Sequence, residues 1–165
     1  MWKRQNIAGK LFAIDTIMKK SNDILLPELE RLIKSGHTVE FTPQGVSMRP
    51  TIEGGRDSVL LRQPKRLKVG HIVLAKIGEQ YVLHRIIKLQ NEQIILQGDG
   101  NLRGQEQCTH DNIIGQVVRI KAKGGVQKRL TKGQVWRHTP TPIKWIVLKV
   151  YRKYIQWQER FDYED

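Results

Sequence analysis

Ser47 and His84 are the two side chains whose types and surroundings could supply a nucleophile and its base. An unactivated hydroxyl attacks a carbonyl poorly, and a basic group within ~2.6–3.2 Å must take its proton as the new bond forms. Ser47 stands in Gly45-Val46-Ser47-Met48-Arg49-Pro50-Thr51-Ile52. A glycine before it and a proline after it make this a constrained turn or strand entry rather than a helix interior. His84 stands in Val82-Leu83-His84-Arg85-Ile86-Ile87, an alternating, β-branched run that reads as a strand. A hydroxyl on a loop and an imidazole on a strand make a dyad capable of acyl transfer. Taken singly, the serine reads as a turn residue and the histidine as a structural one; the combination of the two segments carries the catalytic reading.

The Ser47 segment resembles the nucleophile motif Gly-x-Ser-Met of the superfamily that joins signal peptidases with LexA-type self-cleaving repressors. Signal peptidases continue that motif with x-Pro-Thr-(Leu/Ile), as this chain does through Ile52. Further segments follow in the family's order. Val69-Gly70-His71-Ile72-Val73 resembles the strand entry V-G-D-I-V, His84-Arg85-Ile86 the base segment, and Gln97-Gly98-Asp99-Gly100-Asn101 the K-G-D-x-N turn, with Asp111-Asn112-Ile113-Ile114-Gly115 downstream. The resemblance implies a mainly β (α+β) fold, a coiled, partly open β-barrel with N-terminal and C-terminal helices. It also implies a serine endopeptidase with a Ser-His dyad or a Ser-His-Asp triad, acting on a peptide or protein precursor after small residues, without a cofactor or metal.

Histidine at the base position resembles the endoplasmic-reticulum and archaeal type. Bacterial-type signal peptidases and LexA-type proteins carry a lysine there, which must be desolvated to be neutral near pH 7. An imidazole ordinarily titrates near ~6.5 and needs no such shift, but it does need a partner to fix its tautomer. The resemblance implies Asp99 or Asp111 for that part. Each also reads plainly as a turn or capping residue, and the two stand even. Gly45 occupies the place where signal peptidases often carry a serine that lends a hydroxyl to the oxyanion hole, which leaves the hole to backbone amides, including that of Ser47. Gly54-Gly55-Arg56-Asp57 is one residue longer than the family's short G-D turn, and His71 replaces an aspartate.

The elements that must hold these groups can be read from apolar periodicity. Asn22-Asp23 opens a helix through Ile33, with Pro27 in its first turn, Gly36 as its stop, and Leu25, Leu29, Leu32 and Ile33 on one face. Strand-like runs follow at 38–42, 58–61, 71–76, 81–89, 93–96 and 113–121, separated by Gly, Asn or Asp turns, a spacing that suggests a coiled barrel rather than a parallel sheet. Thr139-Pro140-Thr141-Pro142 makes a stiff break before a basic, aromatic segment, 143–157, in which Trp145, Leu148, Arg152 and Ile155 recur at helical spacing. The chain therefore divides into an N-terminal helical extension (1–37), a β-rich peptidase domain (38–135) and a C-terminal helix (136–165).

Composition bounds the remaining readings. A chain of 165 residues can bury ~70% of its unfolded surface in one core. The single cysteine, Cys108, allows no internal disulfide and reads as an ordinary thiol. No apolar stretch approaches the ~20 residues of a membrane span, and the basic start is followed only by a short, interrupted apolar stretch, Leu11-Phe12-Ala13-Ile14, unlike a secretory signal. A cytoplasmic location is expected. The net charge of +13 favours anionic partners. For nucleic acid it is the only signal, because no helix-turn-helix, zinc or RNA-binding pattern accompanies it. The 143–157 segment fits a helix lying on an anionic membrane surface, or one packed on the domain. Two rival functions stay open: a LexA-type self-processing regulator cutting Ala8-Gly9, and a non-enzymatic basic binding module that keeps the fold.

Overall fold

Helix α1, Asn22–Lys34, buries Leu25, Leu29 and Ile33, which recur along one face at the helical period. It ends at Gly36, where the N–H groups of Gly36 and His37 return to the carbonyls of Ile33 and Leu32. Pro27 lies inside the helix, past its first turn, where a missing N–H costs one backbone bond. Burial of the apolar face outweighs that loss. The computed structural model of the chain describes residues 22–128, 130, 136 and 138–161.

Among the described residues, eight antiparallel strands follow: β1 Val39–Phe41, β2 Ser58–Arg62, β3 Ile72–Ile77, β4 Gln80–Gln90, β5 Gln93–Gln97, β6 Glu106–Cys108, β7 Ile113–Lys121 and β8 Gln127–Lys128. Their spatial order is β1-β2-β7-β3-β4-β5-β6, with β8 paired to β7. The two-residue period explains how this sheet makes two cores. On β3, Ile72 and Leu74 join the cluster that α1 covers, together with Val59, Leu61, Val117 and Ile120. Val73 and Ala75 face the other way and join Ile86, Ile94, Leu96 and Cys108. Both faces of the central strand are therefore dry, which requires the sheet to curl around its own second face. Register shifts at Leu60/Leu61, Leu74/Ala75 and Ile86/Lys88 supply local bends. The outcome is a mainly β fold, a curled antiparallel half-barrel with helices before and after it in the chain. Gly115 on β7 is where α1 seats, since a Cβ there would stand 3.2 Å from Ile33 Cδ1.

All six expected strands are present, with no end shifted by more than one residue. β6 and β8 are additions. Each is very short and mostly polar, and each exists because a neighbouring strand offers it a ladder, a cause that no local pattern records. Helix α2, Thr141–Phe161, starts within the Pro-rich break, with Pro142 in its first turn. It buries Leu148 and Ile155, whereas Trp145, expected to share their face, is 57% exposed and carries Lys149 over its ring.

Replacing Ile33 with alanine should lower the unfolding free energy by about 2–5 kcal/mol, as measured by urea denaturation, because the site is fully enclosed and cannot collapse freely. Replacing Glu28, whose ion pair with Arg31 lies on the exposed side of the same helix, should leave the denaturation midpoint within error.

Candidate active site

Ser47 sits in a tight turn between β1 and β2 that is anchored from below. Met48 and Ile52 drop into the main core, and the Ile52 N–H bonds the Met48 carbonyl at 2.9 Å. Arg49 donates to the buried Glu53 carboxylate through Nε (2.7 Å) and through Nη2. Asp57, fully buried, accepts the Glu53 N–H at 2.8 Å and pairs with Lys128. These bonds fix the loop from Met48 to Asp57 and leave Ser47 at its partly exposed tip.

His84 lies midway along β4, opposite Val73 of β3, and is 6% exposed. Its neighbour Arg85 faces the other way, as consecutive strand residues must. The Arg85 guanidinium is 2% exposed and fork-bonded to Asp99, Nε to Oδ1 at 2.8 Å and Nη2 to Oδ2 at 2.6 Å, while Nη1 donates to the Gly70 carbonyl at 2.7 Å. Thr51, on the serine loop, donates its hydroxyl to the same carboxylate. One buried ion pair thus joins the base strand, the Gly98–Asn101 turn and the serine loop.

Gly98 brings the serine and the imidazole together. A Cβ there would lie 2.5 Å from the Ser47 carbonyl oxygen, 3.1 Å from His84 Nε2 and 3.2 Å from His84 Cδ2. Only the bare backbone of a glycine fits between the serine loop and the imidazole edge. The adjacent Gly100 N–H donates to the Ser47 carbonyl at 2.7 Å and locks the two turns. Ser47 and His84 line a single cleft of about 180 Å³. Its walls are the Thr42–Gly45 segment and Tyr81–His84 of β4. Among the described residues, β5 pairs with β4 only from Arg85 onward, so the Gln80–His84 stretch presents an unpaired edge on that side. No hydrogen bond joins the Ser47 hydroxyl to His84 among the described residues; apo catalytic pairs commonly tighten only around substrate.

The carboxylate beside the imidazole is neither of the two expected. His84 Nδ1 lies 2.8 Å from Glu106 Oε2. A carboxylate only accepts, so Nδ1 donates to it; in the neutral tautomer this selects, Nε2, on the Gly98 side, is the nitrogen with the lone pair. Asp99 is consumed by Arg85 and Thr51 and cannot turn to His84 without abandoning a buried cation. Asp111 lies on an exposed single-turn 3-10 helix, His110–Asn112, and makes no bond to His84. Glu106 escaped notice because β6 has no apolar alternation. A signal existed: Cys108 is two positions on, and a strand that buries Cys108 points Glu106 to the same face. Burial, with the nearby Glu106 charge, pushes the Cys108 thiol pKa up, so it is a packing thiol rather than a rival nucleophile. His71, in place of the family's aspartate, accepts the Lys68 N–H through Nδ1, and burial lowers its pKa. The Ala8-Gly9 bond lies outside the described residues.

The model of the Peptidase S24-like family matches residues 8–118, a span that contains every group of this cleft. No curated protein matches the chain.

Asp99→Ala should destabilise the protein by about 3–5 kcal/mol in chemical denaturation, because it strands a buried guanidinium, while Asp111→Ala should leave the midpoint unchanged. In the native protein Cys108 should react with iodoacetamide far more slowly than in urea, its thiolate being suppressed by burial.

Proposed function

Because the chain belongs to the Peptidase S24-like family, we propose that it is a serine endopeptidase in which Ser47 is the nucleophile, His84 the general base and Glu106 the positioning carboxylate. The observation that carries this reading is the joint placement at Gly98: the Ser47 backbone and the free Nε2 edge of His84 flank one glycine, with Nδ1 held by Glu106. In this mechanism His84 Nε2 takes the proton from Ser47 Oγ as that oxygen bonds to the scissile carbonyl carbon. The imidazolium so formed then protonates the departing amine, leaving an acyl-enzyme. A water molecule, deprotonated by the same nitrogen, releases the acid and restores Ser47. Glu106 stabilises the imidazolium and holds the tautomer. The Ser47 N–H makes no intramolecular hydrogen bond among the described residues, which suits it to receive the developing oxyanion.

Substrate recognition follows from the walls of the cleft. An extended peptide would add as a strand along the unpaired edge at Gln80–His84, with main-chain bonds supplying affinity. The small cleft lined by Phe41, Met48, Ile52 and Leu74 favours a short apolar side chain just before the cut bond. A peptide or protein precursor with alanine or a similarly small residue at that place is the substrate class.

Ser47→Ala and His84→Ala should each reduce cleavage of an alanine-containing reporter peptide to background, and the double variant should be no worse than either single one, since the residues act as a unit. Glu106→Gln should lower kcat by at least about tenfold with little change in KM, because it removes orientation and imidazolium stabilisation but no substrate contact. Cleavage that survives in Ser47→Ala would refute the nucleophile assignment; full activity in Glu106→Gln would refute the positioning role.

A further inference from the structure

Helix α2 lies beyond residue 118, where the family match ends, and it shows a second face that the peptidase reading does not use. Its docked face is secured to the domain by buried Leu148 and Ile155 and by Tyr151, whose hydroxyl donates to Glu53 at 3.0 Å, under the serine loop. About a third of a turn away, Ile143, Ile146, Val147, Val150, Tyr154 and Trp157 fall on one stripe at helical spacing, and every one of them is exposed. Val150 is 61% exposed and Trp157 58%. Apart from Trp145 on another side of the same helix, the other exposed large hydrophobics among the described residues are Val46, Val69 and Val126, and they are scattered. An apolar stripe of this length on a soluble surface marks an interaction site.

The charge beside the stripe says what covers it. On the side away from the docked face run Lys149, Lys153 and Arg160, with Arg152 behind them, all exposed. Apolar stripe, basic flank and ring-bearing Tyr154 and Trp157 together match the contact zone of a lipid interface, where hydrocarbon takes the stripe and anionic headgroups take the cations. A second copy of a +13 chain would bring like charges together at this flank, and nucleic acid would leave the apolar stripe unsatisfied. No helix among the described residues is long and apolar enough to cross a membrane, so contact is along the surface. We propose that α2 docks the protein flat on an anionic lipid bilayer through the Ile143-to-Trp157 stripe. Tyr151 then fixes the serine loop at a set height above the lipid. A bilayer-tethered substrate would be presented to the cleft without diffusing through solution.

The test is co-sedimentation of the full chain with vesicles of phosphatidylcholine containing phosphatidylglycerol, against phosphatidylcholine alone. Binding is expected to the anionic vesicles only. Ile146→Glu combined with Val150→Glu, both on the exposed stripe, should weaken it by more than about tenfold with thermal stability unchanged. Lys149→Glu with Lys153→Glu should weaken it too, and the wild-type affinity should fall with added salt. Ser47→Ala should bind as wild type does, so the result stands apart from the peptidase assignment. Absence of binding to anionic vesicles would overturn the proposal. So would binding indifferent to the Ile146 and Val150 changes, which would reduce it to general basic charge, or a dimer in sedimentation velocity that those changes dissolve, which would make the stripe a self-interface.

Discussion

The guanidinium of Arg85 and the carboxylate of Asp99 face each other with almost no access to water, and the rest of the cleft hangs on that contact. Removing two charges from water is costly, and the cost is recovered only by excellent geometry and by satisfying the remaining donors and acceptors. Here the fork geometry meets the first requirement, and the Gly70 carbonyl and the Thr51 hydroxyl meet the second. The Trp136 indole closes the cluster by donating to the Asp99 carbonyl at 2.8 Å. Because Arg85 is next to His84 and Asp99 is next to Gly98, fixing the pair fixes the imidazole and the glycine that separates it from Ser47. An apolar pair of the same volume could be as stable, but it would not dictate the relative register of three loops so strictly. We read the pair as a positioning device for the cleft.

That reading explains a division of labour among the acidic residues. A carboxylate forked onto a buried arginine is electrostatically spent, and an imidazole beside it would compete with the guanidinium and lose. The carboxylate beside His84 is instead Glu106, on an edge strand, with its side chain only partly covered, and we propose the orienting role for it. Such a carboxylate pays little desolvation and can follow small movements of the ring. Position in the fold, rather than residue type, separates the structural acid from the orienting one.

Much of the frame was legible because it rests on short-range periodicity. The β-branched run at 113–121 yields β7 with both ends as expected, and Leu25, Leu29 and Ile33 mark the docked face of α1. The serine turn and the histidine strand were also legible, since glycine, proline and β-branched residues declare local backbone geometry. The partner of His84 was not. Asp99 and Asp111 were conspicuous in turn motifs, but a turn motif says only that a carboxylate is near backbone amides; which charge it meets depends on β4, β5 and β6 being laid side by side. Likewise, the helical spacing of Trp145 with Leu148 could not tell which of two apolar sectors of α2 docks, because both are apolar. Tyr151 and its bond to Glu53 decide it, a contact across the fold.

Covalent capture distinguishes an activated Ser47 from an ordinary turn hydroxyl. The full chain treated with a fluorophosphonate and read by intact-protein mass spectrometry should gain a single phosphonyl group, mapped by peptide fragmentation to Ser47. That adduct should be missing in Ser47→Ala and slow to form in His84→Ala. A chain that stays unmodified under conditions that label other serine peptidases, or one labelled equally in Ser47→Ala, would contradict the activation of Ser47.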